Sequence, residues 1–310
     1  MAVPLLDKKF VVRNAVEGEL DVAIRLGVII LPEWHVSPSE FACAYSLDPT
    51  GFYVGVLNGE IISLINCIKY PGHSAFISTF LVKEEYRGKG YGRQTWDTAW
   101  KSFNKSISLG LDAVTDMVPK YETLGFRSFW NTLVVVLDLK MITEKFAAVS
   151  DSAVCIKPIN GIDVTKAIEY GTSREGFIRA WISIPGSRGW VAINERGNLV
   201  GYIAIRPVIS GIEMKVGPLS LGPLYADNDV IAKLLLKTMA ESYIADATTQ
   251  ETQVEMLCCD GGEYGDHGLQ MVAGVEARPP IVIGPRMYTN GIPPGRQLRK
   301  IYGITSPAFD

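Results

Sequence analysis

Arg87-Gly88-Lys89-Gly90-Tyr91-Gly92-Arg93 sets three glycines among three cations and a tyrosine. Glycine lets a backbone fold tightly with its N–H groups turned inward. At the start of a helix, where the amides lack partners and the dipole favours negative charge, such a turn is an anion cradle, and a pyrophosphate is its natural guest. The lysine-serine ending of a triphosphate loop is missing, which argues against a nucleotide triphosphatase. A dinucleotide fingerprint needs its third glycine where Arg93 or Thr95 stands, although Asp112 lies about where its ribose-binding acid would be. The second group with chemistry to offer is Tyr121, in Tyr121-Glu122-Thr123-Leu124-Gly125-Phe126: a phenol near ~10 is a reasonable proton donor to a nascent thiolate.

The elements that must position these groups follow from pattern. Phe10 to Ala15 reads as a strand, and Leu20, Ile24, Val28 and Leu31 have helical spacing. Ser37-Pro38-Ser39-Glu40 is a capping box that opens a second helix. Two apolar runs, Phe52–Leu57 and Ile61–Ile68, flank Asn58-Gly59, a strong hairpin signal. A further strand over about 75–82 feeds the glycine turn. The helix after it carries Trp96, Ala99, Trp100 and Phe103 on one face, a core stripe. Ile107–Leu111 is the next strand, and Pro119–Leu124 is a short helix stopped by Gly125, with a valine-rich strand beyond it.

A strand ending in Val82, the R-G-x-G-x-G turn, a helix, a strand and then Y-E-x-L-G-F resemble, in that order, the GCN5-related N-acetyltransferases (GNAT). The resemblance implies an α+β fold with a mixed, mostly antiparallel sheet flanked by helices, and acetyl-CoA as co-substrate without a metal. It implies that the strand ending at Val82 splays from its neighbour at a bulge, with the backbone of Leu81 and Val82 holding the pantetheine arm. Arg87, Gly88, Lys89, Gly90, Tyr91, Gly92 and Arg93 would hold the pyrophosphate, and Tyr121 would act as general acid. The connection Glu33-Trp34-His35 would overhang the acceptor. Ser78 stands where many members place a glutamate base, so deprotonation is assigned to water held by Ser78, His73 or Glu33, or to an acceptor that arrives partly neutral. The activity implied is acetyl transfer to a primary amine, with a small molecule as the expected acceptor. A non-catalytic acyl-CoA sensor and a dinucleotide enzyme using Asp112 remain open beside it.

The second half repeats the plan. A polar stretch over 141–153 reads as a linker between an acetyltransferase domain at 1–140 and a degenerate copy at 154–310, the tandem arrangement of one branch of the family. Gly189–Ile193 and Leu199–Ile205 form a hairpin around Glu195–Asn198, Leu219–Tyr225 parallels the strand ending at Val82, and a helix with Ile231, Leu234, Leu235 and Met239 follows. The glycine turn is replaced by Tyr225-Ala226-Asp227-Asn228-Asp229, which caps a helix but repels phosphate. Gln270 takes the tyrosine position, so this copy is expected to be structural or to shape the acceptor pocket. His267, among glycines with Glu263 and Asp266, reads as a loop residue. The basic run 293–300 reads as solvated surface.

Composition bounds the rest. A length of 310 residues fits two domains, and a net charge of −3 gives no reason to expect nucleic acid. Five scattered cysteines without C-x-x-C argue against structural zinc or a disulfide framework, and Cys67 reads as a core residue. Neither a signal-peptide pattern nor a bilayer-length apolar run is present, so the expected location is cytoplasmic, away from membranes.

Overall fold

The computed structural model describes residues 9–30, 38–70, 74–104, 106–160, 175–210, 215–246, 252–261 and 265–306. The first half runs β1 (Phe10–Asn14), α1 (Leu20–Ile30), α2 (Pro38–Leu47), β2 (Phe52–Leu57), β3 (Glu60–Tyr70), β4 (Ser74–Val82), α3 (Tyr91–Lys101), β5 (Ser108–Asp112), α4 (Val118–Thr123) and β6 (Arg127–Asp138). After α5 (Leu139–Lys145), the second half repeats this with β7 (Val154–Pro158), α6 (Glu175–Ile182), β8 (Arg188–Asn194), β9 (Leu199–Ser210), β10 (Lys215–Ala226), α7 (Asp229–Ala245), β11 (Gln253–Cys259), α8 (His267–Val272) and β12 (Ile281–Tyr288). A short β13 (Ile301–Gly303) follows.

Local chemistry explains the turns. Asn58 and Gly59 adopt φ of 51° and 88° between β2 and β3, the left-handed pair that a two-residue hairpin demands. Gly125 and Gly274, at φ of 93° and 81°, follow α4 and α8 and mark corresponding points of the two halves. The expected linker begins as helix: Asp138 caps α5 by accepting from Met141 N at 2.9 Å, and Leu139, Ile142 and Phe146 bury its inner face.

All thirteen described strands join one sheet, in the order β1-β2-β3-β4-β5-β12-β6-β11-β10-β9-β8-β7, with β13 on β10. The sixth strand of each half is therefore inserted into the other. β12 lies between β5 and β6, and β6 lies between β12 and β11. The valine-rich β6 suits this place, because both its edges are paired and Leu133, Val135, Val136 and Leu137 are buried. The sheet is antiparallel except at β4/β5 and β10/β11. These two parallel contacts open the clefts described below.

Three apolar clusters hold the layers. One lies under α3 and α4, around Trp96, Ala99, Leu109 and Phe126. A second lies under α5, α7 and α8. The third joins the halves, with Phe41 and Phe52 of the first meeting Phe177 and Trp181 of the second. A buried ion pair crosses this seam, Arg206 to Glu40 at 2.6 Å, with the guanidinium over Trp181. Loss of one partner would leave the other charge buried and uncompensated.

Candidate active site

β4 and β5 pair only through Ser74, Ala75 and Phe76 against Ser108, Leu109 and Gly110. Beyond Phe76, β4 bends away. Its register against β3 slips between Ile65/Phe80 and Cys67/Ile77, so Ser78 and Thr79 together face Asn66. This bulge opens a V between the two strands. The ladder decides which peptides face it. Lys83 N bonds Ile62 O, and alternation then turns the amide and carbonyl of Leu81 toward β3 and those of Val82 and Phe80 toward the cleft. Of the two residues expected to offer backbone groups, Val82 turns its own to the cleft, as Phe80 does, while Leu81 turns its own to β3. Leu81 contributes to the wall and is otherwise buried in the seam between the halves.

The glycine turn closes one end of the V, and its glycines serve different purposes. Gly88 and Gly90 adopt φ of 72° and 84°, a conformation that L side chains resist. Gly90 is the N-cap of α3. Gly92 has an ordinary φ but needs the space, since a Cβ there would lie 2.9 Å from Val82 Cγ2. The first helical bond runs from Gln94 N to Gly90 O, so the amides of Tyr91, Gly92 and Arg93 have no acceptor within the helix. Thr95, hydrogen-bonded to Ser63 at 2.7 Å, seats the helix on β3. Arg87 donates through Nε to Val82 O, Lys89 through Nζ to Glu85 O, and Arg93 is paired with Asp97 at 2.8 Å. All three cations are exposed.

The resulting cleft of about 880 Å³ is lined by Ser78, Leu81, Val82, Arg87, Gly88, Gly90, Gly92, Arg93 and Tyr121 among the expected residues. Lys89 and Tyr91 stand behind it: Lys89 lies over the Tyr86 ring, and Tyr91 packs on Phe10 and Tyr86. Glu33, Trp34, His35 and His73 lie outside the described residues. Tyr121 meets Trp96 and Phe126 at ring distances of 5.8 Å. Burial, with Cys67 near it, pushes its phenol up to about 12. The Cys67 thiol is itself pushed up by complete burial, which keeps it a protonated core group. Ser78 and Thr79 share a hydrogen bond of 3.0 Å at the bulge.

Wall residues missed in sequence include Phe80, Tyr86, Met117, Lys120 and Leu124. The alternation of β4 and the two turns of α4 could have pointed to Phe80 and Lys120, but nothing in pattern marks Tyr86 or Met117. Asp112 also lines the cleft, but its carboxylate is committed. Both its oxygens accept from the wholly buried Arg286 of β12, at 2.6 and 2.8 Å, and Thr132 donates to it as well. A carboxylate so engaged offers no free oxygen to a ribose diol, which removes the main support for a dinucleotide. Among the described residues no group of three His, Cys, Asp or Glu could hold a metal, and no helix is long and apolar enough to cross a membrane.

The corresponding region of the second half is built differently. Asn228, not glycine, caps α7, accepting from Ile231 N at 3.0 Å. Asp227 pairs with Lys300 at 3.0 Å, so the basic run is at this point engaged and not merely solvated. Gln270 donates to Asp266.

A cleft of this shape on this sheet defines an acyltransferase fold, and comparison with known proteins agrees. The model of the Acetyltransferase (GNAT) family matches residues 27–126, and that of the Acetyltransferase (GNAT) domain matches residues 165–277. The chain belongs to the GNAT superfamily as a tandem, two-domain member. It is similar to the holothin acyltransferase of Pseudoalteromonas sp. (strain SANK 73390), 27% identical over 215 residues that cover 68% of this chain and 69% of the relative. In fold it resembles a putative acetyltransferase from Pyrococcus horikoshii, with a TM-score of 0.71 at 18% identity over 100% of this chain and 99% of that one. It also resembles a tandem GNAT protein from the clavulanic acid biosynthesis pathway, with a TM-score of 0.61 at 15% identity over 91% and 98%.

Proposed function

We propose that the first half transfers the acetyl group of acetyl-CoA to a primary amine of a small molecule. The observation that carries this reading is the coincidence, in one cleft, of a β4 edge without a described strand partner, a helix N-terminus with three amides that lack an acceptor in the helix, and one half-buried phenol. The turn amides and Arg87 take the diphosphate, Arg87 keeping its Nε on Val82 O, and the peptide groups of Phe80 with the amide of Val82 extend the sheet onto the pantetheine amides. Tyr121 donates to the sulfur as it leaves.

The phenol's environment sharpens its role. Complete proton transfer from a group at about 12 to a thiolate whose acid lies near ~8.5 is uphill by about 5 kcal/mol. Tyr121 therefore acts by hydrogen-bond donation that strengthens as charge builds on sulfur when the C–S bond breaks, and completes the transfer only as the cationic nitrogen of the tetrahedral adduct gives up its proton to water, leaving the amide and the free thiol. Ser78 and Thr79 at the bulge hold the water that receives the acceptor's proton. The family match and the holothin acyltransferase support acyl transfer in general. The test is a thiol-release assay with acetyl-CoA over a panel of primary amines. Amine-dependent release that is lost in Tyr121→Phe is expected; CoA binding without turnover on any amine would overturn catalysis in favour of an acyl-CoA sensor.

A further inference from the structure

We propose that the C-terminal segment 300–306 is a built-in ligand of the second half: it fills the slot corresponding to the first half's cleft, so that the chain takes one acyl-CoA, in the first half alone. The count of one rests on the function proposed above; the filling of the second slot does not.

β10 and β11 run parallel through Leu219–Leu221 and Val254–Met256, and β10 slips register between Leu221 and Leu224, as β4 does at its own bulge. In the first half, no described strand lies between the diverging arms. In the second, β13 lies there, antiparallel on β10 through Leu224/Gly303 and Tyr225/Ile301. On the other side, Ile304 N donates to Leu257 O of β11 at 2.9 Å. The segment thus bonds both arms through its main chain, the position that an extended pantetheine chain would take.

The walls are shaped for this occupant. A Cβ on Gly268 of α8 would overlap the carbonyl oxygen of Tyr302, and one on Gly222 of β10 would overlap that of Ile304. Both close approaches are to backbone, which cannot swing away. Tyr302 donates to Asp229 at 2.6 Å and Lys300 pairs with Asp227 at 3.0 Å, so the two acids that replace the phosphate turn are engaged by the segment itself. His267 stands edge-on to the Tyr302 ring at 4.6 Å. Residues 301–306 are all buried.

Hydrogen–deuterium exchange on the intact chain, with and without coenzyme A, tests this together with the binding stoichiometry of coenzyme A. The amides of Gly303 and Ile304 are expected to exchange at least ~10³-fold more slowly than in an unstructured peptide. Coenzyme A should slow exchange in 80–93 and 118–124, leave 220–229, 266–272 and 300–306 unchanged, and bind once per chain. Fast exchange of 300–306, two molecules bound per chain, or faster exchange of the segment on adding coenzyme A would each overturn the proposal. A slow segment in a chain that binds no coenzyme A would uphold the filled slot and sink the acetyl-CoA reading instead. Gly268→Val, which presses on the Tyr302 carbonyl, should release 300–306 while β1–β4 keep their protection; a segment equally protected in that variant would also overturn the proposal.

Discussion

The clefts of the two halves share one strand order, one bulge and one glycine-ended short helix, yet they differ in what lies between the parallel arms. In the first half the β4 edge beyond Phe76 has no strand partner among the described residues and faces a cationic glycine turn. In the second the edge of β10 is used by β13, and the turn carries Asp227 and Asp229. A splayed sheet leaves main-chain donors and acceptors that must be satisfied somewhere. The comparison teaches that this need can be met by a ligand arm or by the chain itself, and that a few turn residues mark which.

The largest effect should come from making the first turn resemble the second. Arg87→Asp combined with Arg93→Asp, both in the cleft lining, should weaken coenzyme A binding about 10³-fold by calorimetry, two reversed charges beside a diphosphate each contributing about 2 kcal/mol. Affinity that stays within tenfold of the parent would break the comparison. Next, Tyr121→Phe should lower kcat about 10²-fold with coenzyme A affinity unchanged, and Tyr121→Gln, the residue at Gln270, should do the same. Folding raises this phenol above its ordinary value, so the stability it contributes is intact below pH ~10 and is lost as pH rises through about 12. The kcat–pH profile should accordingly show no alkaline limb from Tyr121 below pH ~11, and any limb nearer neutrality should persist in Tyr121→Phe.

A smaller effect sharpens the second half. Tyr302→Phe deletes the bond to Asp229 and should cost about 1–2 kcal/mol, a few degrees in Tm, without changing kcat. The smallest concerns His267. Burial lowers its pKa, against the opposing pull of Asp229, the Ile301 backbone and Asp266. A lowered histidine contributes stability that is present above its ordinary value and lost as pH falls below it. Between pH 7 and 5, Tm should therefore drop about 1 °C further in the parent than in His267→Phe.

Much of this was legible from residues. Asn58-Gly59, the Trp96/Ala99 stripe and the Gly88–Gly92 turn announce their local structures, because φ preference and helical period act over a few residues. The repeat was visible for the same reason, through its second hairpin and through Gly274 echoing Gly125. Asp112 kept a dinucleotide alternative open, because its partner Arg286 is remote in sequence. Which peptides of β4 face the cleft was not legible, because their orientation depends on ladder phase, which the β3 register sets. The basic run 293–300 looked like surface, because nothing local reveals that its end leads into a slot.

Sequence by itself determined the repeated elements, the cationic glycine turn at the head of α3, and the loss of that turn in the second copy, since all of these are properties of short windows. Only tertiary structure decided that β6 and β12 change places, that Arg286 secures β5 from the other half, and that 300–306 lies between β10 and β11. Those outcomes follow from pairing unsatisfied backbone edges across a long chain, and any free edge of suitable twist can compete for a partner until the whole sheet is assembled.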